Sequence, residues 1–178
     1  MTLSATAIVP MRGGSERIPR KNLVTLHGKP LFLWVLSSLA KASLVDRIVV
    51  DTDDDEIASA VAECDARIEV VRRPSVLGAS NVSMNDVLVH TLRQLRLAPD
   101  TPVLQTHATN PFLLPETLDR ALRIAAPMNR TTSLVSITKH QTRFYTPNGN
   151  PVNHDKQVLI PTQNLAPLLE ENSCLYIF

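Results

Sequence analysis

The residues of this sequence best suited to chemistry lie in one short stretch near the N-terminus. Residues 10–22 contain the pair Gly13-Gly14 within a cluster of cations that has Glu16 as its single acid. The cations are Arg12, Arg17, Arg20 and Lys21. Glycines let backbone N–H groups converge without interference from Cβ atoms, and guanidinium and ammonium groups supply the charge that a polyphosphate needs. The stretch therefore predicts a nucleotide triphosphate site. It also fits an ordinary solvated basic loop, since neither common phosphate-loop glycine fingerprint is present.

A buried strand must deliver this loop. Residues 5–9 form an apolar run that stops at Pro10; it is too short for a helix and is typical of a buried strand. Strand and helix patterns then alternate along the chain. The predicted helices cover 30–42, a segment capped by Asp53 or Asp54, 84–97, and a segment from Pro115 to about 127; further strands are predicted over 46–51, 68–71, 102–105, 132–138 and 175–178.

This alternation predicts an α/β fold in three layers, a mostly parallel sheet with helices on both faces. Ligands of such sheets bind beyond the carboxyl ends of the strands. The loops at 11–22, 51–55, 72–85 and 105–111 are therefore expected to share one edge.

Composition and length narrow the class of protein. A chain of 178 residues with 44% apolar residues fits one domain with a real core. The net charge of +1 argues against a general binder of nucleic acid or of membrane surfaces. No apolar stretch approaches the roughly 18 to 20 residues that span a bilayer. Cys64 and Cys174 lie far apart and suggest a reduced compartment. We therefore predict a cytoplasmic protein.

The pattern breaks over residues 139–167, where prolines, asparagines and a glycine replace the strand–helix alternation. This segment predicts a hairpin or lid-like projection that contributes to substrate binding or to a dimer, although an ordinary surface loop fits equally well. The sequence ends on the apolar run Leu175-Tyr176-Ile177-Phe178. Because domains rarely stop on an exposed apolar strand, a further C-terminal portion is expected.

Residues 9–22, followed by Gly28-Lys29-Pro30-Leu31, resemble the signature of acylneuraminate cytidylyltransferases, the CMP-sialic acid synthetases. Residues 104–111 and 171–177 fit the same family, so the resemblance runs in order along essentially the whole chain. It implies a Rossmann-like nucleotidyltransferase fold and an enzyme that makes a CMP-sugar and pyrophosphate from CTP and a nonulosonic acid such as N-acetylneuraminate. It also implies Mg²⁺ dependence and a homodimer, with 139–167 as the dimer contributor.

The resemblance assigns roles to particular residues. The nucleotide-binding set is Met11, Arg12, Gly13, Ser15, Lys21, Asn22, Arg73 and Asn85, and the sugar-binding set is Gln105, Thr109 and Asn110. Arg12, Lys21 and Gln105 are the implied catalytic residues. Gln105 ends a predicted buried strand, where an uncharged polar side chain needs a reason. Thr109 and Asn110 are also ordinary turn residues. His107 is the natural candidate for a general base on titration grounds, although the family pattern often has no histidine there.

The run Asp51-Thr52-Asp53-Asp54-Asp55 leaves two interpretations open. An Asp-x-Asp pair chelates divalent metals in nucleotide-sugar glycosyltransferases, whereas a helix cap explains Asp53 and Asp54 without a metal. The rival functions are therefore a glycosyltransferase that uses Asp51 and Asp53, and a nucleotide-binding module without turnover.

The sequence departs from the resembling enzymes in three places. Their later Asp-x-Asp pair that holds Mg²⁺ is not found up to Phe178, so the metal ligands are expected in a missing C-terminal segment. Near the end, where those enzymes bind the sugar carboxylate with arginines, this sequence has Glu170 and Glu171. Lys139 and Arg143 are both candidates for a lysine of their middle segment.

Overall fold

A computed structural model describes residues 4–15, 17–129 and 131–178. The chain divides into two compact units. The first runs to Leu134 and also contains Cys174–Phe178, and the second is Val135–Ser173. The sequence predicted one domain with an irregular excursion over 139–167, and this excursion falls inside the second unit.

Strands and helices alternate through the first unit as the periodicity predicted. The strands described in the two units together are β1 (Ala5–Pro10), β2 (Thr25–Leu26), β3 (Lys29–Pro30), β4 (Val45–Thr52), β5 (Glu69–Arg72), β6 (Val103–Thr106), β7 (Leu134–His140) and β8 (Leu168–Ile177). The helices are α1 (Leu31–Lys41), α2 (Asp55–Cys64), α3 (Met84–Leu95) and α4 (Pro115–Ala125). Pro115 opens α4 as expected, because a missing N–H is harmless in the first turn. None of the described helices is long and apolar enough to cross a bilayer.

The sheet of the first unit is built around β1. This strand pairs in parallel with β4 on one side and with β6 on the other, and β4 pairs in parallel with β5. The end of β8 pairs antiparallel with β6, so that Gln105 lies opposite Tyr176. The predicted mostly parallel sheet is confirmed. Its parallel strands end on one edge, which is where the loop after β1 lies.

The core occupies both faces of this sheet. One cluster packs side chains of β1 such as Ala7 and Val9 against α1, α2 and α4, with Phe32 and Leu118 fully buried. The other cluster packs Ile8 and its neighbours against α3. Successive β1 residues thus serve opposite faces, as the period of a strand requires. The predicted three-layer arrangement is confirmed, and β1 is buried along its whole length.

Two local features differ from or sharpen the prediction. The short hairpin of β2 and β3 was not predicted; it turns through His27 (φ 47°) and Gly28 (φ 81°), and histidine is not a residue that marks such turns. The cap of α2, left open between two aspartates, is Asp54, whose carboxylate accepts the N–H of Ile57 at 2.9 Å.

The second unit holds β7 and most of β8, which pair with each other. Asn172 bridges to the hydroxyls of Ser136 (2.6 Å) and Thr138 (3.1 Å) on β7. Further along, Tyr145 and Pro151 form an isolated antiparallel bridge around a turn that contains Gly149 in the left-handed region. The polar 139–167 segment is therefore ordered by a turn and by strand pairing.

Candidate functional site

A cleft of about 160 Å³ lies at the carboxyl ends of the parallel strands of the first unit. Its walls come from the loop after β1, from the connection between β5 and α3, and from the turn after β6. The lining residues are Pro10, Arg12, Gly14, Ser15, Lys21, Asn22, Arg73, Met84, His107, Ala108 and Thr109. The three segments are far apart in sequence, and the parallel order of the strands brings them to one edge.

The cleft favours an anionic ligand. Arg12 and Lys21 line it, and each is half-buried. The pKa of the His107 imidazole is lowered, mainly by burial and second by the positive charge of Lys21. The charge of Lys21 therefore reaches the part of the cleft wall that holds His107. A half-buried guanidinium and ammonium bind phosphate oxygens more strongly than exposed ones, since the surroundings screen the charges less.

Carboxylates of the acidic run Asp51–Asp55 bond to the glycine loop. The N–H of Gly13 donates to Asp53 at 3.0 Å, and Asn22 donates its side-chain amide to the carbonyl of Arg12 at 3.1 Å. Arg20, in the same loop, bonds Asp54 at 2.6 Å. Burial opposes ionisation of Asp54, yet the hydrogen bonds from Ile57 and Arg20 outweigh it, so the pKa of this carboxyl is lowered. The acidic run after β4 therefore fixes the basic loop after β1.

Gly13 and Gly14 can be told apart by the space around them. A Cβ on Gly13 would lie 2.3 Å from a carboxylate oxygen of Asp54 and 2.8 Å from its Cβ, whereas nothing lies within 4 Å of a Cβ on Gly14. Gly13→Ala is therefore expected to lower the free energy of unfolding by about 1 to 3 kcal/mol, the range for overpacking. Gly14→Ala, the matched control, is expected to stay within about 0.5 kcal/mol. Urea unfolding measures both, and equal effects would show that Gly13 is not packed against Asp54.

Arg73 reaches the cleft from a buried ion pair. Its Nε bonds a carboxylate oxygen of Asp51, and its Nη2 donates to the carbonyl of Asp51 at 3.2 Å. The hydroxyl of Thr91 on α3 donates to the other carboxylate oxygen at 2.7 Å. Asp51 is fully buried and Arg73 nearly so. The pair fixes the end of β5 to the end of β4, and so positions two walls of the cleft.

These walls place the cleft at the edge of the sheet where ligands of α/β proteins bind. Residues 6–178 match a protein family described as cytidylyltransferase. The chain belongs to the cytidylyltransferase family. Among its relatives, the 3-deoxy-manno-octulosonate cytidylyltransferase of Tolumonas auensis is 26% identical over 159 residues, which cover 87% of this chain and 59% of that protein. The CMP-N,N'-diacetyllegionaminic acid synthase of Legionella pneumophila is 29% identical over 177 residues, 96% of this chain and 76% of that protein.

A solved structure shares the cytidylyltransferase fold. It is that of CMP:2-keto-3-deoxy-manno-octonic acid synthetase complexed with CTP, with a TM-score of 0.69 and 19% identity. The match covers 98% of this chain and 73% of the other. The predicted nucleotidyltransferase fold is confirmed. The chain spans about three-fifths of the length of the Tolumonas relative.

The cleft brings together part of the predicted site. The predicted residues that line it are Arg12, Ser15, Lys21, Asn22, Arg73 and Thr109. Of the loop's other arginines, Arg17 is exposed, and Arg20 is paired with Asp54.

Five predicted site residues do not line the cleft. Met11 is buried in the core, and its N–H donates to the carbonyl of Asp51 at 2.8 Å. Gly13 packs against Asp54, as described above. Asn85 is exposed in the first turn of α3. Asn110 donates to the carbonyl of Cys174 at 3.3 Å.

Gln105 is the fifth of these residues. It is buried inside β6, with 2% of its surface exposed.

His107 lines the cleft, although the family resemblance assigned the catalytic role in this segment to Gln105. The prediction ended the strand at Gln105, whereas β6 ends at Thr106, so the first side chain beyond the strand on the same side as Gln105 is that of His107. The alternation of side chains along the strand was the available signal.

The described residues do not gather a metal site. Among residues 4–15, 17–129 and 131–178, no group of three or more His, Cys, Asp or Glu side chains is placed to hold an ion. Asp51 is bonded to Arg73 and Thr91, Asp53 to Gly13, and Asp54 to Ile57 and Arg20. Asp51, one of the two ligands that the glycosyltransferase alternative requires, is thus held in a buried ion pair, and Asp54 caps α2.

Proposed function

We propose that the cleft binds CTP and that the chain transfers CMP from CTP to a sugar acid, with release of pyrophosphate. The observation that carries this proposal is the placement of Arg12 and Lys21 beside the glycine loop at the end of β1, in a chain of the cytidylyltransferase family. Ser15 and the exposed backbone of Gly14 line the same wall and offer hydrogen-bond donors to phosphate oxygens.

The proposed reaction does not require a covalent intermediate with the protein. The anomeric hydroxyl oxygen of the sugar acid forms a bond to the α-phosphorus, and the bond from that phosphorus to the bridging oxygen breaks. Pyrophosphate leaves with the electron pair, and the hydroxyl proton passes to solvent. Negative charge shifts onto the leaving group, so positioned cations give most of the stabilisation. Arg12 and Lys21 have this role in the proposal.

The acceptor is proposed to be a nonulosonic acid such as N-acetylneuraminate, or a related 3-deoxy sugar acid. Support comes from the signature over 9–22 and from the relatives, whose names specify 3-deoxy-manno-octulosonate and N,N'-diacetyllegionaminic acid. These compounds share a carboxylate beside the anomeric carbon. The side chains of His107 and Thr109 line the cleft after β6 and are polar groups available to such an acceptor.

Mg²⁺ remains part of the proposal. The carboxylates of the described residues do not fit a metal cage, as shown above, so no step is assigned to a metal held by them. Magnesium in nucleotide sites is bound largely by phosphate oxygens and water, with one or two carboxylates. Activity measured with magnesium and with excess chelator tests this part.

Pyrophosphate release on mixing the protein with CTP and one sugar acid at a time tests the proposed function. We expect release with at least one of N-acetylneuraminate, legionaminic, pseudaminic and 3-deoxy-manno-octulosonic acids, and none with ATP in place of CTP. Binding of CTP without release with any acid would support a nucleotide-binding module instead. Absence of CTP binding by calorimetry would refute the nucleotide site itself.

A homodimer is also proposed, on the family resemblance. The second unit exposes apolar side chains on neighbouring strands, namely Val135 and Ile137 on β7 and Leu169 on β8. A second copy of the chain would cover these side chains in the proposed dimer. The molar mass in solution, measured by light scattering, tests it.

A further inference from the structure

A histidine and a glutamine outside the cation set form a pair at the edge of the cleft. His107 lines the cleft just beyond the end of β6, and Gln105 lies two residues earlier, buried inside the strand. The Nε2 atom of the Gln105 amide is 3.2 Å from Nε2 of the His107 ring. The two side chains point to the same side of the strand, which is why they meet.

The donor and acceptor in this contact depend on the tautomer of the ring, and the orientation of the Gln105 amide constrains that tautomer. An amide nitrogen has hydrogens to donate and no lone pair to offer, so the ring nitrogen that faces it must be the acceptor. The same amide nitrogen also lies 3.4 Å from the carbonyl oxygen of Thr106, a second acceptor. In a neutral imidazole with Nε2 unprotonated, the proton is on Nδ1.

The surroundings keep the ring neutral. Burial, and after it the positive charge of Lys21, lower the pKa of His107 below its ordinary value. Protonation would also set an N–H of the ring against an N–H of the Gln105 amide. At neutral pH the ring therefore has one N–H, on the nitrogen that does not face Gln105.

We propose that Gln105 fixes His107 as the Nδ1–H tautomer, and that His107 donates this hydrogen bond to an oxygen atom of the substrate bound in the cleft. Gln105 then acts as a positioning residue, and His107 as the group that meets the substrate. The acceptor is a carboxylate or hydroxyl oxygen of the sugar acid, or a phosphate oxygen of CTP. This inference rests on the proposed function, since it assigns a role within that reaction.

The pair also argues against a general base at this position. The lone pair of Nε2 is occupied by the Gln105 amide, and Nδ1 already has its proton. The ring has no free basic nitrogen to take the proton of the sugar hydroxyl. His107 is therefore a hydrogen-bond donor in this proposal, and not the general base that its titration range suggested.

The tautomer can be measured directly on the unliganded wild-type protein. Long-range ¹H–¹⁵N correlation spectra distinguish Nδ1–H from Nε2–H imidazoles, and we expect the Nδ1–H pattern for His107. Gln105→Glu is the near-isosteric test, because a carboxylate accepts rather than donates. It should convert His107 to an Nε2–H form and raise its pKa. An Nε2–H tautomer in the wild-type protein would overturn the proposal.

Kinetics separate a donor from a base. His107→Leu removes the donor and should raise the KM of one substrate about 10-fold or more, the scale of a lost hydrogen bond to a charged oxygen. His107→Asn keeps an N–H donor close to the Nδ1 position and cannot act as a base, so its KM values should stay within about 3-fold of wild type. A rise confined to the sugar acid, or confined to CTP, identifies which substrate holds the acceptor. Equal losses in the two variants would contradict the donor role.

Failure of this inference and failure of the proposed function give different results. If the wild-type protein releases no pyrophosphate with any sugar acid, the proposed function fails, while the tautomer in the unliganded protein can still be measured. If the wild-type protein is active but His107→Leu has wild-type KM values for both substrates, the proposed function stands and the role of His107 is refuted.

Discussion

Replacing Asp51 with alanine is expected to lower the free energy of unfolding by about 3 to 5 kcal/mol, the range for removing one partner of a buried ion pair. Asp51 is fully buried at the end of β4, and its carboxylate bonds both Arg73 and Thr91. Its loss leaves the guanidinium of Arg73 buried without a counter-charge and the hydroxyl of Thr91 without that acceptor. An uncompensated buried charge is more destabilising than an unmade neutral hydrogen bond.

Urea unfolding of the variant against wild type measures this difference, and a surface pair provides the matched control. Arg47 on β4 and Glu69 on β5 are paired at 2.6 Å, but both side chains are more than a third exposed. Glu69→Ala should therefore change the free energy of unfolding by less than about 1 kcal/mol. If Asp51→Ala were no more destabilising than Glu69→Ala, the buried pair would not stabilise the contact between the ends of β4 and β5.

A double variant separates the effect of the buried charges from the effect of the lost side-chain volume. Replacing Asp51 and Arg73 together with leucine and methionine removes both charges and keeps much of the volume. Such replacements of buried pairs are often neutral or stabilising relative to the charged pair, so the double variant should recover most of the stability lost in Asp51→Ala. The affinity of the double variant for CTP should remain below that of the wild-type protein, since Arg73 lines the cleft.

The sequence was informative about the fold because the signals for it are local. The alternation of short apolar runs with helical spacing predicted β1, β4, β5, β6, α1, α3 and α4 to within about two residues, and it predicted the start of α2. Parallel order then followed from the alternation of strands and helices. The basic loop after β1 was predicted in the same way, because its glycines and cations are adjacent in sequence.

The contacts that organise the site could not be predicted from the sequence because they join residues that are far apart in the chain. Asp51 and Arg73 are 22 positions apart, and a sequence pattern does not show that the two side chains meet. The same holds for Gly13 and Asp53, which are 40 positions apart. The acidic run therefore looked like a metal site or a cap, whereas it also bonds to the glycine loop after β1.

The end of β6 lies one residue later than the sequence predicted. The predicted strand ended at Gln105, and the family resemblance assigned that side chain to the sugar site, whereas β6 continues to Thr106. Gln105 is buried within the strand, and His107, two residues later and on the same side of the chain, lines the cleft. Strand ends are set by the pairing with β1 and β8, which the local sequence does not contain.

Arg12→Ala is expected to weaken CTP binding by about 1.5 to 3 kcal/mol, the scale of a lost hydrogen bond to a charged partner. This corresponds to a Kd roughly 10- to 150-fold higher. Arg12 lines the cleft beside Lys21, and its carbonyl, which the substitution keeps, accepts the amide of Asn22 at 3.1 Å. The loop should therefore keep its conformation while the cleft loses one of its cations.

Calorimetric titration with CTP measures the effect, and the same loop supplies the control. Arg17 has the same charge but is exposed and does not line the cleft. Arg17→Ala should leave the Kd for CTP nearly unchanged at physiological salt, because screening weakens charges that do not contact the ligand. Arg12→Lys keeps the charge but loses the planar fork that matches phosphate oxygens, and its Kd should lie between those of wild type and Arg12→Ala.

The pattern of the three variants decides what the arginine contributes. If Arg17→Ala and Arg12→Ala weaken binding equally, the loop acts only through its overall positive field, and no direct contact with a phosphate is needed. If Arg12→Lys binds as well as wild type, charge suffices and the bidentate geometry contributes nothing. If Arg12→Ala itself has the wild-type Kd, the triphosphate does not lie against the glycine loop, and the cleft at the end of β1 is not the nucleotide site.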